Sequence, residues 1–131
     1  MIDCENEVYT RIADRLRKAV PGIDISGVYV NIPSAFPHVS IEQSDSRVVK
    51  KQTDGEHEMA EVSFEVNVYS NARNQRKSEA NKIANLIDEM LFGMNFRRIS
   101  RGPTPNPEDL AIYRITARYS AYTDGQFFYR S

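Results

Sequence analysis

The sequence predicts an α+β fold: an antiparallel-rich mixed sheet of about five strands, with two helices packed on one face and an extended hairpin arm. Three observations support this prediction. One long segment alternates strictly between apolar and polar residues, the segment directly after it has apolar residues at helical spacing, and no linker rich in Pro or Gly divides the chain. This order is typical of a layered fold in which helices cover one face of a sheet.

The composition is that of a single domain spanning residues 1–131. Hydrophobic residues make up 40% and charged residues 27% of the chain, ordinary values for a globular protein with one core. The 17 Lys and Arg residues almost balance the 18 Asp and Glu residues, which gives a formal net charge of −1. Such a balance excludes binding to polyanions or membranes through overall charge, so a charged partner must meet a local patch.

The single cysteine and the amino-terminal residues predict where the protein is found. Cys4 cannot form an intrachain disulfide, which is typical of a reducing compartment. The first residues are acidic where a signal peptide would be basic, and no apolar run approaches the ~20 residues needed to cross a bilayer. We therefore expect a protein made and kept in the cytoplasm.

The first elements are predicted to be a helix followed by two short strands. The apolar positions of the helix recur every four residues, at Val8, Ile12, Leu16 and Val20. Asp3 or Asn6 is expected to cap its start, and Pro21-Gly22 to end it. The runs "GVYVNIP" and "HVSIEQ" that follow are rich in β-branched residues or alternate in polarity, so both predict strands.

Residues 44–57, "SDSRVVKKQTDGEH", predict a protruding arm or hairpin. Residues typical of turns occur at Thr53-Asp54-Gly55, and apolar content is low apart from Val48-Val49. Such an arm offers a surface for partners, and its candidate contact residues are Arg47, Val48, Val49, Lys50 and Lys51.

Residues 61–91, "EVSFEVNVYSNARNQRKSEANKIANLIDEML", join a strand directly to a helix. The apolar side chains expected on the covered face of the sheet are Val62, Phe64, Val66 and Val68. The apolar stripe expected along the helix is Ala80, Ile83, Ala84, Ile87, Met90 and Leu91. Gly93 is expected to cap the helix at its carboxyl end, and the opposite face of the sheet is expected to be wet or interfacial.

The last third of the chain predicts two strands and a carboxyl-terminal strand or tail. "FRRISRGP" is extended, "TPNPEDL" is a loop broken by prolines, and "LAIYRITARYSAY" is a long strand. One face of that strand is expected to carry Tyr113, Ile115, Ala117 and Tyr119, and the other Arg114, Thr116 and Arg118. Asp124-Gly125 predicts a tight turn into residues 124–131.

The residues that could carry chemistry do not combine into a convincing site, so we expect no enzyme, no cofactor and no metal. His38 and His57 lie on different segments, and "EHE" at 56–58 is interpreted as part of a solvated arm. Cys4 is interpreted as a small apolar residue. An enzymatic alternative stays open in Glu61 and Glu65, which share one face of a strand and could act as paired carboxylates in a hydrolase.

A basic cluster and an aromatic cluster are the remaining candidate contact surfaces. "FRRISR" supplies Arg97, Arg98 and Arg101, which suit a protein interface or, as an alternative function, a nucleic-acid-binding module with Arg114 and Arg118 nearby. The aromatic residues at the end of the chain either contact a partner or close the core; they are Phe127, Phe128 and Tyr129.

Three phrases of the sequence resemble the tail terminator, or tail completion, family of long-tailed bacteriophages (siphoviruses). They are Phe36-Pro37-His38-Val39, Val66-Asn67-Val68-Tyr69-Ser70 and the helical segment 79–91. The resemblance extends over nearly the whole chain in the order of its elements. The loop at 103–107 and the segment after Asp124-Gly125 depart from the family pattern, so no family role passes to them.

The resemblance implies a structural protein of the virion, assembled in the host cytoplasm. A homo-oligomeric ring, usually a hexamer, would cap the tail tube, contact the tail-tube protein and join it to the head-tail connector protein at the neck. DNA would pass through the channel without specific binding, and no membrane would be involved. A head-completion or neck adaptor protein of the same particle is the alternative within this class.

Overall fold

The structure is a computed structural model that describes residues 3–51, 58–106 and 109–130. Two helices and six strands follow each other along these residues: α1 (Glu5–Ala19), β1 (Asp24–Ser26), β2 (His38–Lys51), β3 (Glu58–Ser70), α2 (Arg76–Gly93), β4 (Arg97–Pro103), β5 (Tyr113–Thr123) and β6 (Phe128–Tyr129). The predicted α+β class is confirmed. Neither helix among the described residues has both the length and the apolar character that crossing a membrane requires.

The strands form one mixed sheet in the order β1-β2-β3-β5-β4, with β3 at its centre. β1 pairs with β2 in parallel, and the other pairs are antiparallel. The two-residue β6 adds a sixth strand to the predicted five by pairing with β5 at Tyr122 and Thr123. β4 and β6 therefore lie in line along the same side of β5.

Both helices pack on one face of the sheet, as predicted, and enclose one apolar core. The four apolar side chains assigned to the covered face of β3 and the six assigned to the stripe of α2 are all buried. Phe64 of β3 and Phe96, just before β4, meet edge to face with ring centroids 5.6 Å apart, an arrangement that aromatic pairs favour.

The predicted Gly93 cap of α2 is wrong, because Gly93 still belongs to the helix. The left-handed residue that ends α2 is Asn95, with φ of 70°. The N–H of Phe96 donates to the carbonyl of Leu91 at 2.9 Å, and the N–H of Asn95 donates to that of Phe92 at 3.0 Å. These two bonds form a Schellman motif, in which asparagine takes the position that more often belongs to glycine.

The start of α1 differs in detail from the prediction. The residue at the cap position is Cys4, whose side chain makes no capping bond. Asp3 acts from one residue further out, because its Oδ1 accepts from the N–H of Glu5 at 3.0 Å. Asn6 lies inside the helix, so it is not the cap. α1 ends immediately before Val20 and the predicted stop at Pro21-Gly22.

The predicted strand at 27–33 is wrong, and the strand of this region is β1, immediately before it. Residues 27–37 form a loop that is held by side chains instead of a ladder. The N–H of Tyr29 donates to Glu42 Oε2 at 3.1 Å, and the hydroxyl of Tyr29 lies 3.0 Å from Nη1 of Arg114. The polar groups of the loop thus bond to side chains and not to a neighbouring strand. For this reason its content of β-branched residues does not produce a strand here.

The second face of the sheet is only partly open, although the sequence predicts a wet or interfacial face throughout. Five of its polar side chains are buried: Ser120 nearer the arm, and His38, Ser40, Asn67 and Thr116 at the end near the loop 27–37. The loops 27–37 and 104–106 cross this end of the face and are linked by a hydrogen bond from Asn106 Nδ2 to the carbonyl of Asn31 at 3.2 Å. The end nearer the arm carries exposed and half-buried charged side chains.

The described part of the predicted arm is a strand. Residues 44–51 continue β2 and pair with β3 down to Lys51 opposite Glu58. β-bulges interrupt this pairing between Gln43 and Asp45 and between Val48 and Lys50. Residues 52–57 lie outside the described residues, and with them the predicted turn at Thr53-Asp54-Gly55, His57 and most of the "EHE" segment.

Candidate subunit interface

The candidate contact residues fall on opposite sides of the sheet. Arg47, Val48 and Val49 lie in β2, of which only His38 to Ser40 pair with β1. We call the outer side of β2 from 45 to 51 the β2 flank. Arg97, Arg98 and Arg101 lie in β4, while Phe128 and Tyr129 form β6. We call β4, β6 and the adjoining Phe127 the β4/β6 flank, which is the opposite edge of the same sheet.

The β4/β6 flank unites the basic cluster and the aromatic cluster of the sequence. The first four residues of β4 are exposed, including Ile99 at 50%. Phe128 is half-buried and packs on Phe96, with ring centroids 5.1 Å apart. Phe127 and Tyr129 are 57% and 43% exposed. The two interpretations of the aromatic cluster therefore apply to different residues, because Phe128 closes the core and its two neighbours face outward.

The end of the chain is fixed on this flank by contacts with the carboxyl end of α2. Asn95 Nδ2 donates to the carbonyl of Phe128 at 3.0 Å. Arg130 donates to the carbonyl of Phe92 at 2.7 Å and places its guanidinium 4.0 Å from the centre of the Phe92 ring. Cations favour the carboxyl end of a helix, where carbonyl groups lack helical partners. The exposed aromatic residues are thus presented from an anchored segment.

The arginines of the basic cluster divide between the two faces of the sheet. Arg98 lies 3.4 Å from Asp88 Oδ2, and Arg101 donates to Asn85 Oδ1 at 2.7 Å, so both lie on the side of α2. Arg97 is opposite Ser120, and Arg118 is opposite Ser100, which places both on the other face. No one face of the sheet therefore presents all the arginines of the nucleic-acid-binding alternative.

The β2 flank presents a mixed apolar and basic surface. Val48 is opposite the buried Ala60 but is itself 53% exposed, and the neighbouring Val49 is 41% exposed. Arg47 donates to Glu61 Oε1 at 2.6 Å across the strand pair. Lys50 and Lys51 belong to β2, and their side chains lie outside the described residues.

The carboxylates considered for a hydrolase do not form a pair. Glu61 binds Arg47, and Glu65 lies 3.3 Å from Nη2 of Arg118. The two arginines lie on different neighbouring strands, Arg47 on β2 and Arg118 on β5, and the α-carbons of the two glutamates are roughly 13 Å apart. Each carboxylate thus acts as the partner of a different arginine.

A Ser–His–Asp arrangement, not anticipated from the sequence, surrounds the buried His38. Asp24 Oδ2 lies 2.8 Å from His38 Nδ1, and Ser26 Oγ lies 3.1 Å from Nε2. The hydroxyl of Ser26 also lies 2.8 Å from the carbonyl of Val28, to which it donates its proton. Activation of a serine needs that proton to pass to the imidazole, so this arrangement fastens β1 and the start of the loop to β2.

Cys4 is buried at the start of α1, in agreement with its interpretation as a small apolar residue. Burial, followed by the nearby carboxylates of Glu7 and Asp3, raises the pKa of its thiol to about 11. The positive end of a helix can lower a thiol pKa, but desolvation dominates here. Among the described residues, no group of three or more His, Cys, Asp or Glu side chains is arranged to hold a metal ion.

No protein-family model and no curated protein matches this chain.

Proposed function

We propose that this chain is a non-enzymatic assembly subunit, the tail terminator of a long-tailed bacteriophage or phage-derived particle. It forms a ring, usually of six copies, that caps the tail tube and joins it to the head connector. Its location is the tail or neck of the virion, and DNA crosses the ring without specific binding.

The observation that carries this proposal is the division of the candidate contact residues between two unlike sheet edges. The β2 flank presents Val48 and Val49 beside Arg47, and the β4/β6 flank presents arginines with Phe127 and Tyr129. A subunit with unlike surfaces on opposite sides associates head to tail, and such contacts close into a ring where the rotation permits.

The positions of the resembling phrases also support the proposal. Phe36-Pro37 leads into β2 at His38, Val66 to Ser70 ends β3, and segment 79–91 is the core-facing part of α2. All three belong to the rigid scaffold that holds the two flanks apart. The direct connection of β3 to α2, which carries no catalytic groups, thus serves as scaffold in an assembly subunit.

The test is the oligomeric state of the purified chain, measured by sedimentation alone and with purified tail tubes. We expect a ring in at least one of the two conditions. Monomers at high concentration in both would contradict the proposal.

A pair of variants tests whether the β2 flank takes part. Val48→Asp with Val49→Asp should prevent assembly and leave the subunit folded, because both side chains are exposed. Leu110→Asp is the matched control, since Leu110 is 81% exposed in the loop before β5 and belongs to neither flank. Assembly that is equally impaired in both variants would argue against the flank.

Particles made without the protein separate the tail terminator from the neck adaptor. Tails that grow beyond their normal length indicate a terminator. Tails of normal length that fail to join heads indicate the adaptor.

A further inference from the structure

We propose that β4 binds an extended, acidic segment of another polypeptide, which adds to the sheet as a further strand. This inference goes beyond the proposed function and does not rest on it, because it concerns one subunit and one class of partner. Three features of β4 carry it: its free edge, its charge and the groove beside it.

β4 is a true edge of the sheet. Six of its seven residues pair with β5 on one side, and no further strand lies beside it among the described residues. A strand in this position presents unpaired N–H and C=O groups that can pair with an added chain. Peptide recognition by strand addition uses such an edge for affinity and the flanking side chains for specificity.

Donors on the other edge of the sheet are engaged by carboxylate side chains. The N–H of Gln43, on the outer side of β2, donates to Glu5 Oε2 at 2.8 Å, and the N–H of Ser46 donates to Asp45 Oδ1 at 2.9 Å. α1 and a local carboxylate thus occupy donors that an added strand would need. β4 has a bulge between Arg98 and Ser100, but its first four residues remain exposed.

The charge of β4 defines the partner. Arg97, Arg98 and Arg101 fall within five consecutive residues. Arg101 donates to the neutral amide oxygens of Asn81 and Asn85, and these partners do not neutralise its charge. Arginine binds carboxylates through paired, charge-assisted hydrogen bonds, so carboxylates are the side chains that this edge favours.

The placement of the arginines favours a peptide over a nucleic acid. Arg98 and Arg101 lie on the face of α2, while Arg97 lies on the opposite face. An added strand directs alternate side chains to both faces, so acidic residues on each face reach arginines. A phosphate backbone follows one surface and would meet only part of the cluster.

A groove between α2 and β4 provides space for the side chains of such a strand. Its lining residues include Asn81, Arg98, Ser100, Arg101, Pro103 and Tyr113. Aliphatic and aromatic groups therefore lie beside two of the arginines. Ile99, half exposed on the same edge, adds an apolar contact for a partner that alternates acidic and β-branched residues.

The experiment measures binding of a short fluorescent peptide of repeated Glu-Glu-Val-Thr units, by anisotropy at low salt. The comparison probes are the same peptide methylated at every second backbone nitrogen, a Lys-Lys-Val-Thr peptide and a single-stranded thymidine oligonucleotide. Of the four probes, we expect only the unmethylated acidic peptide to bind saturably. Methylation should abolish binding because it removes the N–H groups that would hydrogen-bond to β4.

Variants locate the site. Arg97→Glu with Ser100→Glu should abolish binding of the acidic peptide. The matched control, Arg73→Glu with Ser78→Glu, makes the same changes on exposed residues before and at the start of α2 and should bind normally. Thermal unfolding checks that each variant is folded, and Ser100→Glu alone replaces the double variant if that protein is unstable.

Three results would overturn the inference. They are failure of the acidic peptide to bind, equal binding of its methylated form, and binding of the oligonucleotide in place of the peptide. The proposed function places β4 at a contact between subunits, so binding is measured at a concentration at which sedimentation shows monomers. Under that condition, failure here and failure of the proposed function are distinguishable.

Discussion

His38 and Asp24 are directly opposite each other at the start of the parallel β1–β2 pair, and Asp24 Oδ2 accepts from His38 Nδ1 at 2.8 Å. The same imidazole reaches Ser26 at the other end of β1. One buried side chain therefore holds both ends of a strand of three residues. This short strand has few ladder bonds, so its position depends strongly on side-chain contacts.

Replacing His38 should release β1 from the sheet. We expect His38→Ala to lower the free energy of unfolding by about 2–4 kcal/mol, because it leaves a cavity and removes the hydrogen bonds to Asp24 and Ser26. Amide hydrogen exchange should rise at 24–26 and in the loop 27–37 and remain slow in β3. Unchanged protection of β1 would contradict the assigned role.

Truncating the core should destabilise the fold strongly. Phe64 and Ile87 are fully buried, and Phe64→Ala or Ile87→Ala should cost about 2–5 kcal/mol through the lost apolar contacts and the cavity. Urea unfolding measures the cost. Val48→Ala, at a side chain that is 53% exposed, should change stability by less than about 0.5 kcal/mol; similar losses at all three sites would show that the core is misassigned.

The thiol of Cys4 should be inert in the folded protein. With a pKa of about 11, almost none of it is thiolate at pH 8, and burial blocks access of reagents. Ellman's reagent should therefore react slowly with the native chain and rapidly in denaturant. Since Cys4 is the only cysteine, every thiol signal comes from it. Rapid reaction of the native protein at pH 8 would contradict the buried position.

Alkaline pH should destabilise the protein through Tyr69. Burial raises the pKa of Tyr69 from 10.0 to about 12, although the guanidinium of Arg114 opposes the shift. The unfolded state therefore loses this proton first, so stability is intact below pH 10 and falls between pH 10 and about 12, by at most roughly 3 kcal/mol. Tyr69→Phe should flatten this part of the stability profile, and an unchanged slope would exclude Tyr69 as the cause.

The left-handed residue at the end of α2 should prefer glycine or asparagine. Asn95 has φ of 70°, so Asn95→Ala should cost about 1–2 kcal/mol, while Asn95→Gly avoids that strain and loses the side-chain bonds to Phe128 and Arg130. Asn74, with φ of 65° before α2, makes a control without those bonds: its alanine variant should be destabilised and its glycine variant should not. Urea unfolding of the four variants tests this, and equal stabilities within each pair would contradict it.

Local periodicity predicts the scaffold well, because the side chains that share one face of β3 or of α2 are the ones that are buried. The alternation of Val62 to Val68 and the helical spacing of Ala80 to Leu91 each place one set of side chains on one face, and the structure buries both sets. The predictions of a strand at 27–33 and of a cap at Gly93 fail for reasons that periodicity does not contain. A strand needs a neighbouring strand to pair with, and the helix cap needs a residue in the left-handed conformation, which here is Asn95.

The candidate interface could be predicted only in part, since its geometry depends on contacts between distant residues. The sequence identifies the exposed valines, the arginines and the terminal aromatic residues one by one. It contains no signal that β6 lies in line with β4, or that Arg97 and Arg98 face opposite ways. The sequence does not bring Asp24, His38 and Ser26 together, for the same reason. The one signal it contains is that Asp24 and Ser26 are two residues apart, which places both on one side of a strand.

The two bulges in β2 separate the register of its last residues from the architecture of the core. Each bulge contains an extra residue that the ladder absorbs locally, so the pairing of Val39 with Val68 does not depend on the register near Val48. A change of register near Val48 would therefore move no buried side chain of the core to the wrong face. The end of β2 at Lys51 can thus evolve independently of the stability of the fold.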